Sequence, residues 1–355
     1  MKFNWKKIGN AALFLTIMLL TFYTVFKEQD MPVLLESLRS MNAVCLAGVV
    51  ILAIFFVCAE GSMIWYLLRA RGGKSGLLRC FGYSFVGFFY SAITPSATGG
   101  QPMQLYYMKK DGNNLSDSSV ILMVVATIYK FVLSVIGILL IAFWYEPLNG
   151  FFKGYIYLYY LGLALNVILV IILVMVMMYP VTIKRMLVFF SRILVKLRIF
   201  KPSRSRERKI ADFIFSYEAA VKYLRGNKGK IVAVTFITFL QRGSAFVVTG
   251  LVYMGLGLQG TPLLTVILVQ AAVYIAVDML PIPGAQGITE LVYVNVFNTI
   301  FINNTLGASM LVVRGINFYF LLIVSAVITL IYSITGRKKE AAMAKIPETE
   351  TDTNN

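Results

Sequence analysis

The sequence predicts an all-α polytopic membrane protein, built as an inverted repeat with two broken re-entrant hairpins that meet near the bilayer midplane. Three observations carry this expectation. Of 355 residues, 59% are hydrophobic and only 14% charged, whereas a soluble domain carries about a quarter charged residues. Apolar runs of roughly 20 residues, the length that crosses a bilayer, recur along the chain. Two of the apolar stretches are interrupted by Pro, Gly and polar residues, as SAITPSATGGQPMQL at 91–105 and LPIPGAQGITE at 280–290.

Apolar runs and basic loops together set the order. The first span, 11–26, follows Lys2, Lys6 and Lys7 and so begins like a signal peptide. No small-residue cleavage site follows it, which makes it a retained anchor. Span two covers 42–68. The loop between them, with Lys27, Glu28, Asp30, Glu36 and Arg39, has more acid than base and reads as outside. Arg69, Arg71, Lys74 and Arg79 follow span two with no acid among them, which reads as inside. The next apolar piece, 80–93, is too short to span before the break. After the break, 103–108 runs into Lys109 and Lys110, again inside. Both ends on one side describe a re-entrant hairpin. Full spans resume at 117–145 and 155–179.

A basic connector, 181–230, follows, with fourteen Lys or Arg against Glu207, Asp212 and Glu218. Its first part, VTIKRMLVFFSRILVKLRIF, gathers Lys184, Arg185, Arg192 and Lys196 on one helical face and suits a helix in the headgroup layer. Its second part sets Ile210, Ile214, Tyr217, Val221 and Leu224 at helical spacing. An anionic lipid surface is the expected partner of this connector. Beyond it come a span at 231–256, the second broken segment at 263–301 and a last span at 308–334. The membrane domain is thus 1–336, and 337–355 is expected to be a disordered cytoplasmic tail.

The order span, span, broken hairpin, span occurs twice, the second time from Tyr155. The first copy begins inside and the second outside, which is the arrangement of inverted-repeat transporters, with the substrate site near the midplane. Irregular backbone at membrane depth is tolerated only where it is buried in protein or lines a wet cavity. Each tip is followed by a new helix: Gln101-Pro102 opens one, and Ile288-Thr289-Glu290, with Thr289 as cap, opens the other. Fresh helix N-termini suit a phosphate. The first tip offers Thr94, Ser96, Thr98, Gly99, Gly100 and Gln101 as substrate-binding candidates. The second offers Pro283, Gly284, Gln286, Gly287 and Glu290. The competing reading is a pair of proline kinks between packed helices.

Lys130, Arg242 and Arg314 fall within spans, as does Glu60, while Asp278 and Glu290 flank the second break. A charge at the centre of a span costs about 2.5–3.5 kcal/mol on insertion scales, so such residues are usually paired or functional. They either neutralise one another as scaffold or line a cavity for a zwitterionic or anionic headgroup. The second reading adds Lys130, Arg242, Asp278 and Arg314 to the candidate site.

Several chemistries are excluded or disfavoured. The chain has no histidine, which removes the Ser-His-Asp triad and histidine-ligated metals. Cys45, Cys58 and Cys80 lack metal-site spacing. The net charge of +17 is a positive-inside bias rather than a nucleic-acid footprint. No catalytic residue, metal or cofactor is assigned.

The two breaks carry a resemblance. The chain resembles the flippase-like transmembrane domain found at the N-terminus of bacterial lysylphosphatidylglycerol synthases and as stand-alone proteins. That family's TP-x-x-x-GG-x-P pattern is met by Thr94, Pro95, Gly99, Gly100 and Pro102. Its P-x-PGG-x-G-x-x-E pattern is met by Pro281, Pro283, Gly284, Gly287 and Glu290, with Ala285 in place of the second glycine. The resemblance implies transbilayer movement of a phospholipid, either aminoacylated phosphatidylglycerol or a polyprenyl phosphate lipid, across the cell membrane. Both termini are expected in the cytoplasm. No soluble aminoacyl-transferase domain follows before Asn355, so the expectation is transport without enzyme activity. The alternative is an integral-membrane enzyme that modifies lipid headgroups, with Asp278 or Glu290 as base. A homo-oligomer or a separate synthase partner is left open.

Overall fold

The fold is read from a computed structural model, which describes residues 31–94, 97–179, 185, 189, 204–280, 287–302 and 305–343. Every element among them is helical. They are α1 (Met31–Ser40), α2 (Ala43–Ala70), α3 (Leu77–Ile93), α4 (Gly100–Lys110), α5 (Leu115–Phe152), α6 (Ile156–Met178), α7 (Arg204–Gly226), α8 (Lys228–Gly255), α9 (Leu263–Val277), α10 (Ile288–Phe297), α11 (Thr305–Arg314) and α12 (Leu321–Met343). A π-helical turn, Gly315–Phe320, joins the last two. Span 11–26 and the first connector helix, 181–200 apart from residues 185 and 189, lie outside the described residues.

Among the described residues, four stretches are long and apolar enough to cross a membrane: Ala43–Ala70, Leu115–Met178, Lys228–Gly255 and Thr305–Ser333. The second folds back on itself. A short 3-10 turn, Lys153–Tyr155, separates α5 from α6, and the Tyr159 hydroxyl returns to the Gly137 carbonyl at 2.7 Å. It therefore supplies two spans, as its length requires. Near its end α5 kinks at Trp144, whose φ of −140° is non-helical, three residues before Pro147.

Caps fix the helix starts where the sequence supplies them. The Asn42 side chain accepts from the N–H groups of Val44 and Cys45 and opens α2. Asn114 does the same for Ser116 and Asp117 at the head of α5. Within the bundle the helices approach where side chains vanish. A Cβ on Gly162 would lie 2.2 Å from the Ile275 carbonyl, and one on Gly82 would lie 1.9 Å from the Tyr332 hydroxyl oxygen. These glycines bring α6 onto α9 and α12 onto α3, the small-residue packing expected of membrane helices.

Helices α2 and α8 run antiparallel. At one end the Asn42 N–H donates to the Gly255 carbonyl at 3.0 Å. At the other the Lys230 ammonium sits 5.2 Å over the Tyr66 ring.

The first broken segment closes at its base. Arg79 at the head of α3 grips Asp111, just past α4, through two hydrogen bonds of 2.6 Å. Its two arms thus begin and end together, as a re-entrant hairpin requires. Helix α7 packs at the same end: the Arg71 guanidinium lies 5.0 Å over the Tyr223 ring, and the Ser116 hydroxyl donates to the Phe213 carbonyl. The apolar face read from the connector is buried here at Ile214, Tyr217, Val221 and Leu224, while Phe215 is left exposed. This second half of the connector therefore docks onto the bundle. Helix α12 continues to Met343, so the boundary drawn at 336 falls inside it; 344–355 lie outside the described residues.

Candidate functional site

The first tip is built by hydrogen bonds within itself. Thr94 ends α3 in extended geometry, φ −113° and ψ 143°, as expected of a residue before proline. Its hydroxyl donates to the Tyr90 carbonyl at 2.6 Å and accepts from the Gly99 N–H at 2.9 Å. Ala97 closes the turn, its N–H reaching the Thr94 carbonyl, at a left-handed φ of 53° that a non-glycine residue rarely adopts. Helix α4 then starts at Gly100, with no side-chain cap on its first N–H groups. Pro102 occupies its first turn, where a missing donor costs nothing.

The second tip begins where α9 ends. Asp278, Met279 and Leu280 stand past its last turn, and α10 restarts after Gly287, whose φ of +79° suits glycine. Here too the cap position offers no side-chain bond. Thr289, expected as the cap, lies inside the helix instead. Glu290 sits in its first turn, where a carboxylate favours the positive dipole end.

Both tips line one cavity of about 820 Å³. Of the sequence-predicted residues, Thr98, Gly100, Gln101, Lys130, Arg242, Asp278, Glu290 and Arg314 border it. Thr94 turns its hydroxyl into its own loop. Gly99 and Gly100 are tight for a reason internal to the hairpin. A Cβ on Gly100 would meet Ser91 Oγ at 2.1 Å, and one on Gly99 would meet Thr94 Cγ2 at 2.7 Å. Gly287 shapes the restart of α10 and has open space around it. Ser96, Pro283, Gly284 and Gln286 lie outside the described residues, as do Pro95, Pro281 and Ala285.

The charges sort into pairs and singles. Lys130 Nζ lies 2.5 Å from Asp278 Oδ2, with both side chains largely buried. The Tyr129 hydroxyl donates to the other Asp278 oxygen. Arg314 Nε holds Glu290 Oε1 at 2.8 Å. Arg242 differs. Among the described residues no carboxylate lies within the 4.0 Å of an ion pair with it, and its Nε has no hydrogen-bond partner. Its guanidinium is stacked 3.9 Å over the Tyr129 ring and 4.4 Å over Phe56, and Nη1 donates to the Tyr274 hydroxyl at 3.2 Å. Aromatic faces hold the cation in place without neutralising it. At 5% exposure it is among the most buried charges in the chain.

Other lining residues escaped the sequence reading. Gln104, Tyr129, Gln241, Gln270 and Tyr274 all border the cavity, as does Glu60, one of the six intramembrane charges expected either to pair or to line a cavity. Gln241 donates to the Phe56 carbonyl at 2.6 Å. Gln270 and Tyr274 stand four residues apart, one turn along the otherwise apolar α9, so polar residues at helical spacing within a span were the signal that could have found them. The π turn after Arg314 brings Asn317 and Phe318 to the same wall.

Comparison with known proteins adds to this geometry. The family model described as lysylphosphatidylglycerol synthase TM region matches residues 10–325. A UPF0104 membrane protein of Pyrococcus horikoshii is 28% identical over 275 residues, 73% of this chain and 79% of that protein.

Proposed function

The chain belongs to the lysylphosphatidylglycerol synthase TM region family, and on that premise we propose that it moves a phospholipid headgroup across the membrane through its central cavity. One observation carries this reading: Arg242 is buried in the cavity wall with no carboxylate partner among the described residues. A buried cation without an ion-pair partner is costly. A phosphate entering the cavity would relieve it, because the guanidinium fork matches phosphate oxygens. The start of α4 and the start of α10 border the same space, adding helix dipoles of the favourable sign.

Transport fits better than headgroup chemistry. A general base must be free to take a proton from substrate, yet Asp278 and Glu290 are each held by a cation. The lipid is aminoacylated phosphatidylglycerol or a polyprenyl phosphate lipid. The protein works in the cell membrane with both termini cytoplasmic, its connector against anionic lipid, and a second copy or a separate synthase as further partner.

Purified protein in liposomes with fluorescent phosphatidylglycerol in both leaflets tests this. With dithionite quenching from outside, the protein should raise the quenched fraction beyond the outer leaflet, and Arg242→Gln should return it to the protein-free level. Chemical conversion of the lipid would favour the enzyme reading. Quenching limited to the outer leaflet for the native protein would refute transport.

A further inference from the structure

The cavity wall carries three cations, Lys130, Arg242 and Arg314, and three carboxylates, Glu60, Asp278 and Glu290. Two of each are spoken for by the pairs Lys130–Asp278 and Arg314–Glu290. Glu60 and Arg242 remain, both on the wall of the same cavity. No cation among the described residues comes within ion-pair distance of Glu60. Its hydrogen-bond partner is neutral: Gln104 Nε2 donates to Glu60 Oε1 at 2.6 Å.

We propose that Glu60 is a proton-binding site that takes up one proton when an anionic headgroup enters the cavity. This rests on the reading of the cavity as a headgroup site. A phosphodiester brings one negative charge into a wall whose charges already balance. If it settles on Arg242, it shares that guanidinium's field with Glu60. Two anions in one site titrate as a coupled pair, and one of them takes a proton. The phosphodiester is too weak a base to be that one, so the carboxylate takes the proton, which the buffered solution supplies. Asp278 is paired with Lys130 and accepts from the Tyr129 hydroxyl, and Glu290 is paired with Arg314. Glu60 accepts from Gln104 of α4 and shares the cavity wall with Arg242 of α8, with no ion pair of its own among the described residues.

The choice of glutamine as partner fits both states. Its amide offers a donor and an acceptor. As built, the NH₂ group donates to the carboxylate; after a flip, the amide oxygen accepts from a protonated Glu60. Lysine or arginine could serve only the ionised form. Gln104 also packs hard against the other hairpin arm, since a Cβ on Gly87 would lie 2.2 Å from its Nε2. Proton uptake at Glu60 is thereby felt directly by the first hairpin.

The test is calorimetric titration of the full-length protein in detergent with phosphatidylglycerol, run at pH 7 in two buffers of different ionisation enthalpy. The difference between the two reads proton uptake directly, independent of transport. The native protein should take up about one proton per lipid bound at saturation. Glu60→Gln should take up none whatever its affinity, and Glu60→Asp should restore uptake. Binding without uptake by the native protein, or uptake retained by Glu60→Gln, would overturn the proposal while leaving the headgroup site standing. Absence of any binding would overturn both. Phosphatidylethanolamine supplies the rival outcome: if it binds through Glu60 with no proton uptake, the carboxylate is an ammonium acceptor and the proton assignment fails.

Discussion

The guanidinium of Arg79 and the carboxylate of Asp111 form a two-pronged ion pair with both contacts at 2.6 Å, fastening the ends of the first broken segment to each other. The Tyr83 hydroxyl also donates to Asp111 at 2.6 Å, and the Arg79 guanidinium lies 4.8 Å over the Tyr332 ring of α12. The hairpin is thus clamped at its base while its tip stands in the cavity.

Asp111→Ala should destabilise the protein by about 2 kcal/mol, below the value for a fully buried pair because Arg79 is partly exposed. The double variant with Arg79→Ala should lose less than the two single losses together, since removing both partners leaves no orphaned charge. Thermal melts of the four proteins in detergent give the cycle; strict additivity would mean that the pair does not clamp the hairpin.

The three cavity cations should separate by stability. Lys130→Gln leaves Asp278 without its cation and should cost about 3–5 kcal/mol. Arg314→Gln does the same to Glu290. Arg242→Gln breaks no ion pair among the described residues and loses mainly its aromatic stacking, about 2 kcal/mol or less, yet it should abolish lipid movement. Melting temperature and transport measured together would show Arg242 as scaffold if it lost stability as far as Lys130 does.

Gly100→Val should fail through folding rather than ligand contact, because its Cβ would strike Ser91 Oγ at 2.1 Å and the Gly87 carbonyl at 2.7 Å. Adding Ser91→Gly should recover only part of the melting temperature, since the backbone clash remains. Full recovery would mean that α4 can move off α3 at little cost.

Single cysteines report sidedness in a background without Cys45, Cys58 and Cys80. Lys74 and Lys222 are exposed and lie at the clamped end, while Gln259 is exposed at the opposite end. In intact cells an impermeant maleimide should label 259 alone, and 74 and 222 only after lysis. Labelling of 222 from outside would invert the proposed topology.

The helical class, the span boundaries and the two breaks were legible in the sequence because each is a local property. A bilayer demands a fixed length of apolar chain with every backbone group satisfied internally. The spans at 155–179 and 231–256 therefore lie within a few residues of α6 and α8. Proline and glycine clustered together punctuate the chain, so the break after Ile93 was visible too. The buried stripe of α7 followed from its spacing alone.

Sequence also found six intramembrane charges, but not which of them meet. Lys130 and Asp278 stand 148 residues apart, and nothing in either neighbourhood names the other. Pairing is settled by which helix faces cross, and those crossings depend on glycines such as Gly162 and Gly82 acting against distant partners. The same holds for the glycines of the first tip, where Ser91 and Thr94 stand in the way of any Cβ on Gly100 and Gly99. Charge type and membrane depth are written along the chain. Which cation is left without a counter-charge is decided only when the helices close around a shared cavity, because ion pairing falls off within a few ångströms and only packing sets distances that short.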